Sequence, residues 1–149
     1  MQNKTNWLAI IVAAIAGMFI GFLWYGLFFQ AQWAEAVGMT GPGLTEPGAE
    51  VFKHGKSITL DPVLPMIINA VSMVIYALIL NWLVVQTNRF SFAGGAVLGA
   101  LIGLVAMLTS YVSNRFAADP TILSVIDGSY YVVLFAVIGG IVGGWRKKG

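Results

Sequence analysis

Residues 122–145 read ILSVIDGSYYVVLFAVIGGIVGGW, apolar and small throughout apart from scattered hydroxyls and one charge, Asp127. A helix needs about 20 such residues to cross a hydrocarbon core about 30 Å thick. Lipid offers no partner to an unpaired backbone amide, so a segment of this kind must satisfy its own N–H and C=O groups as a helix. Three earlier runs share this character: about Trp7–Phe29, Pro65–Val85 and Phe92–Val112. The chain is therefore expected to be all-α. It reads as a polytopic membrane protein whose four transmembrane helices, about 7–29, 65–85, 92–112 and 122–145, form one bundle and one domain over residues 1–149.

The composition points the same way. Of 149 residues, 58% are hydrophobic and 9% charged, whereas about a quarter of a soluble domain is charged. The chain has no cysteine, which excludes disulfides and thiolate metal sites. A net charge of +2 is too small to imply a nucleic-acid partner. The first run has features of a cleavable signal, with Lys4 before it and Ala34-Glu35-Ala36 after it. It is longer than a signal core of about 7–15 residues and carries the bulky Trp24 and Tyr25, so a membrane helix is the better account.

Basic residues set the expected orientation. With four helices, both termini and the Asn88–Ser91 turn share a side holding Lys4, Arg89, Arg146, Lys147 and Lys148, with no acid. The other side holds Lys53, Lys56 and Arg115 with Glu35, Glu46, Glu50, Asp61 and Asp119. Both termini are thus expected in the cytoplasm, with Arg146-Lys147-Lys148 as a stop-transfer anchor that can also meet anionic lipid heads. An external loop spans about 30–64. Its Gly- and Pro-punctuated part, Gly38–Gly48, cannot hold a long helix. Val51–Leu60 reads as a short strand or an interfacial turn.

Helices in a bilayer associate by close packing and polar contacts, because lipid tails are as apolar as leucine. Small residues recur at four-residue spacing: Ala13, Gly17 and Gly21; Gly95, Gly99 and Gly103; Gly139 with Gly143, and Gly140 with Gly144. They read as packing seams within the bundle, as a seam left for another chain, or as both. In the second run Asn69, Ser72 and Tyr76 fall on one face.

Asp127 is the one acid inside a spanning run. An ionised carboxylate facing lipid costs a few kcal/mol, so it should face protein or water and have a partner. Two accounts stand. Asp127, Arg115, Asn114, Tyr111, Tyr131 and Asn69 line a polar outer-leaflet pocket, or Asp127 and Arg115 simply pair and pin the last two helices. His54, the only histidine, lacks the further ligands a metal needs. No metal, cofactor or catalytic constellation is indicated.

Two clusters carry a resemblance. Asn6-Trp7, Gly21, Trp24-Tyr25, Trp33, Gly38 and Thr40 form one; Asn114 and Ile126-Asp127-Gly128 form the other. Together these resemble the small bacterial membrane proteins grouped as domain of unknown function 1761, over nearly the whole chain. The resemblance implies a four-helix bacterial inner-membrane protein and supplies no activity.

Two functions are compatible with these residues. The first is a non-enzymatic component working by helix–helix association in the bilayer, as a homo-oligomer or a small subunit beside a membrane-protein partner. The second is a small-solute or proton-coupled transporter with Asp127 as its titrating group.

Overall fold

The computed structural model describes residues 5–145. Lys4, Arg146, Lys147 and Lys148, on which the expected orientation partly rests, lie outside the described residues. Helix α1 (Trp7–Gly21) continues without a break into a π-helical stretch, Phe22–Phe28. A short helix α2 (Gln30–Ala36) follows, then a small sheet. Three long helices complete the chain: α3 (Val63–Gln86), α4 (Phe92–Phe116) and α5 (Thr121–Gly144). Four helices, counting α1 with its π-helical extension, are long and apolar enough to cross a membrane.

Local chemistry explains the helix starts. The Asn6 side chain accepts from the Ala9 amide to cap α1, and the Ser91 hydroxyl accepts from the Gly94 amide to cap α4. Before α3, whose N-cap is Pro62, Asp61 Oδ1 accepts from the Val63 amide at 3.0 Å.

The all-α expectation needs a correction between the first two spans. Strands β1 (Met39–Thr40), β2 (Val51–Lys53) and β3 (Lys56–Ile58) form an antiparallel sheet in that order. The β2–β3 turn is His54-Gly55, with φ of 48° and 77°. Positive φ at both central residues is what a tight two-residue hairpin needs. Of the two readings of Val51–Leu60, the strand is the one observed. This end of the molecule, with α2 and the sheet, is called the cap end below.

Helix α5 is the centre, with α1, α3 and α4 packed around it and α2 against its cap end. It is the most buried of the four long helices. The core runs through Ile10, Ala13 and Ala14 of α1, Ala77, Leu80 and Val84 of α3, and Leu134, Ile138 and Val142 of α5. Helices α1 and α5 run antiparallel, tied at the termini end by Asn6 Nδ2 donating to the Trp145 carbonyl at 2.7 Å. At Gly17 three helices converge: an added Cβ would lie 2.7 Å from Met73 Sδ and 3.2 Å from Leu134 Cδ1.

The α4–α5 contact is built on glycine. The only buried residues of α4 are Gly95, Gly99 and Gly103. They oppose Gly139, Phe135 and Tyr131 of α5, so each four-residue step up one helix matches a four-residue step down the other. A Cβ at Gly95 or Gly99 would run into the Gly139 or Phe135 carbonyl, and one at Gly143 would lie 2.7 Å from the Ser91 carbonyl. Gly21 faces the Tyr130 hydroxyl, and Gly140 and Gly144 face Phe92. Each seam glycine meets a neighbour in its own chain. Packing within the bundle is thus one use of these seams.

Candidate functional site

Two adjoining polar features lie toward the cap end of α5. The first holds α1 to α5. Two consecutive aromatics of the π-helical stretch reach across: Trp24 Nε1 donates to the Ile126 carbonyl at 3.1 Å, and the Tyr25 hydroxyl donates to Asp127 Oδ1 at 2.7 Å. Single turns of π-helix recur at functional sites, and here the wide turn closes through the Phe29 amide on the Trp24 carbonyl. The Tyr25 ring stands edge-on to Tyr130 at 5.0 Å and to Trp33 at 5.6 Å, as aromatic pairs prefer. Trp33 belongs to α2, so the cap, α1 and α5 meet around Asp127.

The second feature is a groove of about 490 Å³ between α3 and α4, floored by α5. These two helices scarcely touch each other, although a short turn joins them. Glycine brings α4 close to α5, whereas Tyr76 of α3 meets α5 ring to ring, 5.0 Å from Phe135. The space left is lined on α3 by Asn69, Ser72 and Tyr76, on α5 by Tyr130 and Tyr131, and on α4 by Ala106. Tyr131 shares a side-chain hydrogen bond with Ser110 of α4, and Asp127 and Tyr76 are its electrostatic neighbours. Among the described residues, the side chains of Asn69 and Ser72 have no hydrogen-bond partner. At a rise of 1.5 Å per residue, Asn69 and Tyr76 lie about 9 and 20 Å along α3 from its start.

Sequence reasoning placed six residues in a single pocket, and the structure divides them. Asn69 and Tyr131 line the groove, and Ser72 and Tyr76 share the Asn69 face as their spacing required. Asn114 instead donates to Ser124 Oγ at 3.2 Å, across the α4–α5 turn. Arg115 donates to Thr121 Oγ1 at 3.3 Å and to the Asp119 carbonyl, closing that turn. Tyr111 is exposed on the outside of α4. Asp127 sits beside the groove and is bound to α1.

The pairing of Asp127 with Arg115 is a second correction, since no such pair forms among the described residues. The turn that brings α5 back beside α4 takes the guanidinium for its own carbonyl and hydroxyl, while Tyr25 reaches Asp127 from 102 residues away. Equal depth is the signal that finds Tyr25, because Trp24-Tyr25 ends one apolar run at the level where Asp127 enters another.

Among the described residues, no group of three His, Asp or Glu stands close enough to hold a metal ion. His54 sits at the hairpin turn, its ring where a Cβ on Gly38 would go. Together the two features offer hydroxyls, one amide, aromatic faces and the Asp127 carboxylate.

A family model described as "Protein of unknown function (DUF1761)" matches residues 8–143. No curated protein and no solved structure matches the chain.

Proposed function

We propose, from the premise that this chain belongs to the DUF1761 family of proteins of unknown function, that it is a membrane-embedded binding protein. In this proposal the four long helices cross a bacterial inner membrane, both termini are cytoplasmic, and the cap faces outward. An amphipathic molecule lies in the groove between α3 and α4, entering sideways from the bilayer. The observation that carries the proposal is the row of Asn69, Ser72, Tyr76, Tyr130 and Tyr131 along the groove, with Asn69 and Ser72 unpartnered.

Polar groups at that depth have no water to turn to, and hydrogen bonds formed there are worth about 0.6 kcal/mol on average and up to about 2. A bound molecule with a hydrogen-bonding head answers that need. A cavity of this size also falls within the range of about 300–1,000 Å³ that small molecules occupy. No nucleophile–base pair accompanies the row, so the proposed role is holding or presenting a molecule and not transforming it.

Association with another chain would have to use a surface other than the glycine seams, which are filled internally. Asp127 is assigned here to joining α1 and α5, because its hydroxyl partner comes from Tyr25. The test is the amphiphile content of the protein extracted in mild detergent. Wild type should retain one class of molecule near unit stoichiometry, and Ser72→Phe, which fills the groove, should lose it. Equal retention by both proteins refutes the proposal.

A further inference from the structure

We infer that the groove takes a long apolar chain carrying an uncharged oxygen head, a hydroxyl or a carbonyl, and discriminates against a phosphate head. This rests on the binding role proposed above and names the ligand class.

The first ground is charge. Sites for phosphate are built from Arg, Lys or free helix N-termini. Among the described residues, no charged side chain lines this groove. At the start of α3, at the groove's cap end, a carboxylate already takes the first helical amide, since Asp61 Oδ1 accepts from the Val63 amide. The guanidinium of Arg115 is spent on Thr121 and the Asp119 carbonyl. Beside the groove stands the half-buried Asp127, an electrostatic neighbour of Tyr131, and a carboxylate does not attract an anion.

The second ground is depth. The polar row runs from Asn69 to Tyr76, about 9 to 20 Å along a helix that needs about 30 Å to cross the hydrocarbon. A charged head pays heavily to descend that far, whereas a hydroxyl or carbonyl pays little if it is met by hydrogen bonds. The third ground is donor type. Tyrosine and serine hydroxyls and the Asn69 amide all donate to oxygen, and a neutral oxygen can accept from two of them at once. The Tyr76 and Phe135 rings, 5.0 Å apart, supply flat apolar surface beside them.

The experiment uses the full chain in phosphatidylcholine nanodiscs, with radiolabelled geranylgeraniol as the probe. Saturable binding is measured, followed by competition with unlabelled geranylgeraniol, a benzoquinone bearing the same chain, and geranylgeranyl monophosphate. The alcohol or the quinone should compete at least about tenfold better than the monophosphate, and which of the two is stronger identifies the head as hydroxyl or carbonyl. Asn69→Leu, which keeps the branching and removes the amide, should weaken binding about fivefold, the worth of one hydrogen bond. A monophosphate that competes as well as the neutral compounds overturns the uncharged head and leaves the groove standing. Absence of saturable binding by any of the three, or binding that survives both Ser72→Phe and Asn69→Leu unchanged, overturns the groove itself.

Discussion

Gly99→Ala tests whether the glycine stripe of α4 belongs to this chain alone. An added Cβ there would run into the Phe135 carbonyl and lie 3.1 Å from the Ala136 amide nitrogen. These are backbone atoms of the central helix, so no side chain can swing aside, and α4 must move bodily by about 1 Å to restore ordinary contact. Overpacking of this kind costs about 1–3 kcal/mol where neighbours can adjust, and rigid backbone puts Gly99 at or above the upper end. Alanine's better intrinsic helix propensity, about 1 kcal/mol over glycine, offsets only part of that. The expected net loss is about 2 kcal/mol. Gly21→Ala supplies the contrast, because its Cβ would meet only the Tyr130 side chain, at 3.4 Å or more, an ordinary contact, and with the same propensity gain it should be neutral or stabilising by up to about 1 kcal/mol. Both variants would be unfolded by denaturing detergent titration, with particle mass followed by light scattering. Unaltered stability of Gly99→Ala together with a changed particle mass would refute the internal seam and place the stripe between chains.

Two further predictions concern how the helices are tied. Tyr25→Phe should cost about 1–3 kcal/mol by leaving a half-buried carboxylate without its donor, and in a double-mutant cycle Tyr25 should couple to Asp127 while Arg115 should not; coupling of Arg115 with Asp127 comparable to that of Tyr25 defeats this assignment. Asn6→Ala removes both the cap of α1 and the bond to the Trp145 carbonyl, so it should lower stability by about 1 kcal/mol. Faster hydrogen exchange confined to the first turn of α1 and the last turn of α5 is the accompanying sign, and unchanged exchange at both ends argues against the tie.

The long helices were legible because lipid leaves a chain no alternative, and each apolar run, from Trp7 to Trp145, is observed as helix along almost its entire length. Faces were legible too: Asn69, Ser72 and Tyr76 share one, and so do Gly95, Gly99 and Gly103, because helical periodicity decides which residues look the same way. What covers a face was not legible. Spacing within α4 says nothing about the carbonyls of Phe135 and Tyr131 that fill its stripe. Nearness along the chain misled at Asp127, where Arg115 is only a turn away but is used by that turn. The hairpin escaped a firm assignment because His54-Gly55 lacks the strong Asn-Gly signal for a turn with positive φ.

The two polar features share one residue, and that gives their adjacency a mechanical meaning. Tyr130 presents one side to the Tyr25 ring and another to the groove. Tyr25 is itself held by Asp127 and by the Trp33 ring of the cap. A half-buried carboxylate that costs stability unless partnered thus fixes α1, and through the stacked rings it fixes the floor of the groove. Groove walls set by glycine on α4 and a floor set by a hydrogen-bonded aromatic stack on α5 leave α3 as the side held by its packing on α1 and α5, since it meets α4 in little beyond the turn between them. The opening between α3 and α4 is thus kept by contacts that do not cross it, the glycine stripe on α4 and the packing of α3 on α1, with the Asp127–Tyr25 bond fixing α1 in turn.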